Sequence, residues 1–397
     1  MTKVLMFGWE FPPFNSGGLG TACYGLTRAL SKQGAQITFV VPHASESKHD
    51  FLKIISSDMA KVKFRGIRSL IQGYMTSEQY DSRYARVGKS DRNFDIYGKN
   101  LFEEVERYAG KAAELAQDEE HDVIHAHDWM TFKAGMAAKK ATGKPLVLHV
   151  HATEFDRTGG HGVNQYVYDI ERAGMHFADR VIAVSNYTRN KIVEHYGVNP
   201  DKVSVVHNAI DLAGEPSYDG RKSKTILYLG RVTLQKGPDY FIEAARKVLE
   251  KEPHARFLIA GTGDMEHSII QRAAELGISD RVLFTGFLRE NDITKAYQMA
   301  SLYVMPSVSE PFGLTPLEAA GTKTPVLISK QSGVSEIFAN CLKVDFWDIN
   351  QMANKMIAVL RHQELGESLS ANAYSEISTM SWDKSASKVM NIYGELI

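Results

Sequence analysis

The segment Ser309–Gly321, SEPFGLTPLEAAG, has the pattern of a turn followed by the N-terminus of a helix. It comes shortly after the apolar run Leu302–Met305. A proline and Gly313 predict a turn, and the residues after it predict the start of a helix. The first N–H groups of a helix have no partner inside it, so those of Leu314 and Thr315 are expected to point into a cleft. Such a helix end is a ready binding site for phosphate.

Two carboxylates flank this turn. Glu310 lies before the helix, and Glu318 lies about one and a half turns inside it. One carboxylate can bind the hydroxyls of a sugar while the other binds the diol of a ribose. The alternative is that Glu318 is a solvated helix residue and that Glu310 is a charge near a helix N-terminus.

Two cations occupy a second loop, Gly230-Arg-Val-Thr-Leu-Gln-Lys-Gly-Pro238, between a predicted strand and a helix that begins with proline. Arg231 can bind a diphosphate through two hydrogen bonds, and Lys236 can bind it as a point charge. Fixed cations and a helix N-terminus stabilise a departing nucleoside diphosphate without a metal. No Asp-x-Asp element follows a strand, so we expect no metal and no other cofactor. Solvated surface charges are the alternative interpretation.

A glycine-rich turn, Gly17-Gly18-Leu19-Gly20, joins the first predicted strand to the first helix. Glycine allows the backbone to approach a phosphate closely, and the helix adds its dipole. The spacing differs from the G-x-G-x-x-G pattern of dinucleotide-binding proteins, so transfer of hydride from a nicotinamide cofactor is disfavoured. A purely structural turn remains open.

Two histidine pairs end neighbouring runs, in His125-Ala-His127-Asp128 and in His149-Val-His151. Histidines two apart on a strand share one face. With Asp128 and Glu154 they could form the metal site of a hydrolase. Alternatively they cap or pack at strand ends, and His151 faces a cleft.

Short apolar runs alternate with amphipathic segments along the chain, which predicts an α/β protein with two doubly wound parallel sheets. The polar stretch Asp211–Lys224 interrupts this alternation, and we place a domain boundary there. Sheets of this kind bind ligands at the carboxyl ends of their strands, so a cleft is expected between the two domains. The polar, Tyr-rich segment from Gly73 to Gly98 predicts a long loop.

The length, charge balance and cysteine content of the chain limit the classes of function that it can have. The chain has 397 residues, enough for two domains, and 46 Lys plus Arg against 47 Asp plus Glu. This balance gives no field that favours nucleic acid or an anionic membrane. The two cysteines, Cys23 and Cys341, favour a reducing compartment, and the opening apolar run is too short for a signal peptide. We therefore expect a cytoplasmic protein with no transmembrane segment.

In this order the motifs resemble the glycogen and starch synthase branch of the family-4 retaining glycosyltransferases, which have the GT-B fold. The resemblance runs nearly from end to end. It rests on the glycine turn, both histidine pairs, the two cations, the Glu310 and Glu318 pair, and Ser381-Trp382 at the start of the last helix.

The resemblance implies a role for each matching residue. The double glycine Gly17-Gly18 would approach the donor's phosphates, and His151 would contact the transferred sugar while its carbonyl faces the reacting carbon. The pair Arg231 and Lys236 would neutralise the diphosphate. The segment Gly313-Leu314-Thr315 would offer N–H groups to phosphate, Glu310 would bind sugar hydroxyls, and Glu318 would bind the ribose.

The resemblance also implies domain limits and a reaction. Residues 1–209 would form an N-terminal Rossmann-like acceptor-side domain, onto which residues 380–397 cross back, and residues 210–379 a C-terminal nucleotide-sugar-binding domain. A glucosyl or other hexosyl unit would pass from ADP-glucose or UDP-glucose to an α-1,4-glucan, with retention at the anomeric carbon.

One position departs from the family pattern. Bacterial synthases commonly carry a lysine where this chain has Asn15. The donor base, and a small, lipid or polysaccharide acceptor in place of glucan, therefore stay open. Besides the glycosyltransferase and the metal-dependent hydrolase, a third alternative is a sugar-binding module without catalytic activity.

Overall fold

The computed structural model describes residues 1–12, 17–43, 61–71, 75–87, 97–160, 162–212 and 224–397. These residues form two compact units. Unit 1 comprises Met1–Glu154, Asn164–Ala209 and Trp382–Ile397, and unit 2 comprises Phe155–Val163 and Ile210–Ser381. The sequence analysis does not separate Phe155–Val163 from the first domain, because nothing in its composition marks it.

Unit 1 is built on a seven-stranded parallel sheet with the order β3-β2-β1-β4-β5-β6-β7. The strands are β1 Lys3–Phe7, β2 Gln36–His43, β3 Val62–Arg68, β4 Val123–His127, β5 Leu146–Val150, β6 Arg180–Ala183 and β7 Val203–Val205. Every residue of the central strands β4 and β5 is buried. This burial explains their continuous apolar runs, because parallel strands are covered on both faces.

Helices follow most of these strands. Those from the first part of the chain are α1 Gly18–Lys32, α2 Ser77–Val87, α3 Leu101–Asp118, α4 Trp129–Thr142, α5 Glu154–Arg157, α6 Gln165–Phe177 and α7 Asn186–Tyr196. Polar residues cap several of them: the side chain of Asn100 accepts from the N–H of Glu103, and that of Ser185 from the N–H of Thr188.

Helix α2 corrects one expectation. The segment from Gly73 to Gly98 is not a loop throughout, because Ser77–Val87 is helical. The ring of Tyr80 is fully buried, and its hydroxyl donates to the carbonyl of Gly98 at 2.6 Å. Tyr97 is also buried, so these tyrosines stabilise unit 1. Tyr74 lies outside the described residues.

Unit 2 has a six-stranded parallel sheet with the order β10-β9-β8-β11-β12-β13. Its strands are β8 Thr225–Leu229, β9 Arg256–Ala260, β10 Val282–Gly286, β11 Leu302–Met305, β12 Val326–Ser329 and β13 Leu342–Val344. Its helices are α8 Pro238–Leu249, α9 Glu266–Glu275, α10 Glu290–Met299, α11 Thr315–Gly321, α12 Ile349–Arg361 and α13 Gln363–Ile377. The predicted fold class, two doubly wound parallel sheets, is confirmed.

The last helix, α14 Trp382–Gly394, packs in unit 1. Its Trp382 ring fills the space beside Gly25 of α1, where a Cβ atom would lie 2.2 Å from the indole. Ser385 Oγ donates to the carbonyl of His207 at 2.6 Å. No helix in the described ranges has the length and apolarity to cross a bilayer.

Candidate active site

The loop after β8 is fixed by the loop after β9. The N–H of Gly230 donates to the carbonyl of Ala260, and that of Val232 to the carbonyl of Thr262, both at 3.0 Å. Gly261 has a φ of 138°, and a Cβ there would lie 1.9 Å from the carbonyl oxygen of Gly230. Gly261 is not among the predicted site residues, although a glycine directly after an apolar run indicates such a close approach.

Arg231 is oriented by Gln235. The guanidinium donates to Gln235 Oε1 at 3.0 Å, and the carbonyl of Arg231 accepts from the hydroxyl of Tyr228 at 2.7 Å. Gln235 is buried, and its own carbonyl accepts from the N–H of Val308, in the loop after β11. Gln235 therefore joins the two loops that carry the predicted charges, a role that the sequence analysis misses.

Lys236 and Glu310 form an ion pair. Lys236 Nζ lies 2.5 Å from Glu310 Oε2, and Ser307 Oγ lies 3.4 Å from the same oxygen. Glu310 is also held by its backbone, since its N–H donates to the carbonyl of Gln331 at 3.0 Å. Beside Lys236, Gly237 has a φ of 63°, and a Cβ there would lie 2.2 Å from the carbonyl oxygen of Pro306. Only glycine fits this approach.

The turn before α11 has the predicted form. Gly313 has a φ of 100°, in the left-handed region that favours glycine. Among the described residues, neither the N–H of Leu314 nor that of Thr315 donates a backbone hydrogen bond. Helix α11 has seven residues, so its dipole is short. Any bound phosphate would depend on the individual N–H groups of this turn.

Glu318 faces a tyrosine. Its Oε2 accepts from the hydroxyl of Tyr297 at 3.0 Å. Burial raises the pKa of Glu318, while the hydrogen bond from Tyr297 lowers it. The hydroxyl of Tyr303 donates in a similar way to Thr315 Oγ1 at 2.7 Å. Both tyrosines escape the sequence analysis because their runs read as core.

His151 lies at the end of β5 in unit 1. Its Nε2 is 2.9 Å from Nδ1 of His127, and its N–H donates to Asp128 Oδ1 at 2.6 Å. Asp128 has a φ of 59°, which is unusual for a residue with a side chain. The aspartate thus fixes the backbone that follows β5, and with it the carbonyl and ring of His151.

The four histidines at the ends of β4 and β5 form a stack of rings. Ring nitrogens of His125, His127 and His149 lie within 4.8 Å of one another. In a second group, the Sγ of Cys23 and ring nitrogens of His127 and His151 lie within the same distance of one another. However, the ring planes of His125 and His149 differ by 7°, and those of His125 and His127 by 20°. Lone pairs in the stacked, nearly parallel planes of this first group do not converge on one ion, as tetrahedral coordination requires.

The carboxylates proposed for that metal site are also engaged. Asp128 accepts from backbone N–H groups, and Glu154 Oε1 accepts from the N–H of Asn164 at 3.2 Å. Burial lowers the pKa of His125 and of His151 to about 3. The pKa values of His127 and His149 also lie well below the ordinary value, for the same reason. The four imidazoles are therefore neutral at pH 7, the form that also ligates metal, so only the ring stacking and the engaged carboxylates count against the hydrolase site.

The glycine turn of unit 1 opens helix α1. Gly17 precedes the helix in extended backbone, with a φ of −171°, and Gly18 is its first residue and is exposed. Neither position requires a left-handed conformation, so the backbone alone does not demand glycine at either. Asn15 lies outside the described residues.

The structure thus brings together in unit 2 most of the predicted site residues. They lie in the loops after β8 and β11, which are neighbours in the sheet, and in helix α11. These residues are Arg231, Lys236, Glu310, Gly313, Leu314, Thr315 and Glu318. Gly17, Gly18 and His151 belong to unit 1. The unit 2 cluster combines two cations, two carboxylates and amide N–H groups that have no backbone acceptor in the described part of the chain, which suits a sugar linked to a diphosphate.

Two family models match the chain: Glycosyltransferase Family 4 over residues 16–213 and Glycosyl transferases group 1 over residues 216–376. An uncharacterised glycosyltransferase of Methanocaldococcus jannaschii is 29% identical over 411 aligned positions, which cover 98% of this chain and 97% of that protein. Glycogen synthase of Mycobacterium tuberculosis is 28% identical over 347 positions, covering 85% and 80%. Sucrose-phosphate synthase of Thermosynechococcus elongatus shares the fold, with a TM-score of 0.80 at 19% identity over 100% of this chain and 99% of that one.

Proposed function

Because the chain belongs to the family-4 glycosyltransferases, with a GT-B fold and similarity to glycogen synthase, we propose that it transfers a hexosyl unit from a nucleoside diphosphate sugar to a carbohydrate. Glucose on ADP or UDP is the proposed donor, and an α-1,4-glucan is the proposed acceptor. The observation that carries this proposal is the cluster of Arg231, Lys236 and Glu310 beside the N–H groups of Leu314 and Thr315, for which the described residues supply no backbone acceptor.

Donor binding would divide the ion pair between two parts of one ligand. The ammonium of Lys236 turns to the diphosphate oxygens, and the carboxylate of Glu310 accepts hydrogen bonds from sugar hydroxyls. Arg231 adds its guanidinium to the diphosphate, held in place by Gln235. Glu318 accepts from the ribose diol beside Tyr297. Each charged group keeps a partner, which avoids the cost of leaving a buried charge alone.

The proposed chemical step needs no enzyme base. The acceptor hydroxyl oxygen bonds to the anomeric carbon on the face from which the phosphate oxygen departs, so the configuration is retained. The departing phosphate oxygen accepts the proton of the hydroxyl. Arg231 and Lys236 stabilise the negative charge that grows on the leaving diphosphate. As the family resemblance implies, the proposed roles are contact of His151 with the transferred sugar and close approach of the backbone at Gly17 and Gly18 to the phosphates.

A donor screen tests this proposal. ADP-glucose, UDP-glucose and their relatives are each incubated with the enzyme and a maltooligosaccharide, and nucleotide release is measured with and without EDTA. We expect release with one glucose donor, an extended oligosaccharide with an α linkage by NMR, and activity that survives the chelator. Activity abolished by EDTA and restored by a metal would support the hydrolase alternative. Donor binding without any nucleotide release would support the silent sugar-binding module.

A further inference from the structure

One tryptophan of this chain is exposed. The side chain of Trp347 has 57% of its surface accessible to solvent, whereas Trp9, Trp129 and Trp382 have 8%, 5% and 5%. These four are all the tryptophans in the sequence. Tryptophan is enriched at binding interfaces, because its ring combines a large apolar surface with a polar N–H group.

Two further aromatic rings support Trp347 from one side. The ring of Phe346 meets that of Trp347 at a centroid distance of 4.8 Å and an angle of 84°. Tyr240, near the start of α8, packs against the other side of Phe346 at 5.0 Å and 75°. These edge-to-face contacts restrict the indole while leaving much of its surface to solvent.

The loop that carries Trp347 is anchored at several points. Asp345 accepts from Lys330 Nζ at 2.8 Å and from Gln331 Nε2 at 3.0 Å. The carbonyl of Trp347 accepts from the N–H of Ile349, the first residue of α12, at 3.0 Å. An aromatic ring on a fixed loop loses little entropy on binding, so the site is preorganised.

The same anchor connects this loop to the proposed sugar-binding carboxylate. The carbonyl of Gln331 accepts from the N–H of Glu310 at 3.0 Å, and its side chain bonds to Asp345. The loop follows the carboxyl end of β13, two strands from β11 in the sheet. Trp347 and Glu310 therefore lie along the same edge of unit 2.

We propose that Trp347 is a stacking subsite for a pyranose ring of the acceptor glycan, additional to the acceptor side that the resemblance assigns to residues 1–209. This inference rests on the proposed function. One face of a pyranose is lined by C–H groups and is apolar, so it can cover an indole ring while its hydroxyls stay hydrated. The subsite lies on the Glu310 side of the sheet, whereas the exposed Phe287 follows β10 at the opposite edge.

Fluorescence quenching tests the subsite directly, because the other tryptophans are shielded from a collisional quencher such as acrylamide. The full-length protein is titrated with maltoheptaose, cellohexaose and mannohexaose at millimolar concentrations. We expect one of them to protect the fluorescence from acrylamide, and Trp347→Phe to remove most of the quenchable signal. Protection by none of the three overturns the proposal.

Kinetics give the second test. Trp347→Ala should raise the KM for the protecting glycan by about 3- to 10-fold, the range of one aromatic contact, and Trp347→Phe should raise it less. Hydrolysis of the donor without acceptor should stay unchanged. Leu283→Ala, at a side chain that is 62% exposed on β10, is the matched control and should not change the KM. An unchanged KM in Trp347→Ala overturns the subsite alone, whereas absence of nucleotide release in the wild type overturns the proposed function.

Discussion

The ammonium group of Lys236 lies 2.5 Å from the carboxylate of Glu310, and the two side chains keep only 21% and 8% of their surface exposed. Removing both charges from water is costly, and their attraction offsets the cost only while both are present. The two residues follow β8 and β11, neighbours in one sheet. We interpret the pair as two ligand-binding groups that satisfy each other until the donor replaces each partner.

Loss of either member of this pair should abolish most of the turnover. Lys236→Ala and Glu310→Ala are each expected to lower kcat by at least ~100-fold, the scale of one preorganised electrostatic contact. The measurement is nucleotide release at saturating donor. Arg272→Ala, which breaks the more exposed pair with Glu243 in the same unit, is the control and should retain kcat within about twofold. Near-normal rates in both site variants would refute the assigned roles.

The affinity for the donor should depend on the ionisation of Glu318. Burial raises the pKa of this carboxyl, and the hydrogen bond from Tyr297 lowers it. Only the carboxylate accepts from both ribose hydroxyls, so the KM for the donor should rise as pH falls through this pKa. Tyr297→Phe removes the hydrogen bond that lowers the pKa of Glu318. As the pH falls, the KM for the donor should then begin to rise at a higher pH than in the wild type.

Tyr303→Phe is the matched control for that pH profile. Tyr303 is also buried, but its hydroxyl donates to Thr315 and not to a carboxylate. Its removal should leave the midpoint of the KM profile in place. Identical midpoints for Tyr297→Phe and the wild type would show that Tyr297 does not tune Glu318.

The stacked histidines of unit 1 should make the fold sensitive to acid. The pKa values of His125 and His151 are about 3 in the folded protein because of burial, below the unfolded value of about 6.5. Their stabilising contribution is therefore present above pH 6.5 and is lost as pH falls toward 3. For each such histidine, the free energy of unfolding should fall by up to about 1.4 kcal/mol for each unit by which the pH is lowered in this range.

Urea unfolding between pH 7 and pH 5 measures this dependence. His125→Phe should reduce the slope of unfolding free energy against pH by up to one proton equivalent. The same comparison with His267→Gln, at an exposed position, should leave the slope as it is. A slope that His125→Phe does not change would mean that His125 is not protonated on unfolding in this range.

A buried aspartate from an unexpected part of the chain should position Glu310. Ser309 Oγ donates to Asp156 Oδ1 at 2.6 Å, and both residues are buried in unit 2. Ser309→Ala and Asp156→Ala should each lower kcat by about 10-fold, because the residue next to Glu310 loses its anchor. The double variant should be no worse than the poorer single variant. Additive losses would show that the two residues act independently; Ser268→Ala, which breaks an exposed hydroxyl bond in α9, is the control.

Local pattern predicts the scaffold well. The apolar runs Thr225–Leu229 and Leu302–Met305 have the observed bounds of β8 and β11, and the proline at 238 marks the first residue of α8. These elements are bounded by glycine and proline, whose conformational limits act within one or two residues. Helix α2 is not predicted, because its polar, Tyr-rich sequence gives only one fully buried position.

Local sequence pattern does not predict which side chains contact each other across the sheet. Lys236 and Glu310 are 74 residues apart, and Asp156 and Ser309 are 153 residues apart. The local sequence around one residue of each pair does not predict its contact with the other. Side-chain partners of this kind depend on strand order, which periodicity does not determine. The candidate charges could thus be predicted, but their mutual neutralisation and their positioning partners could not.

A nucleoside diphosphate is proposed to bind to the cations of unit 2. Calorimetric titration with UDP and ADP in the presence of EDTA measures this binding. We predict that the wild type binds one of the two nucleotides and that the double variant Arg231→Ala/Lys236→Ala binds it at least ~100-fold more weakly, as expected for two lost charge-assisted contacts. The same variant should keep the thermal unfolding profile of a folded protein. Equal affinity in the wild type and a folded double variant would contradict the account.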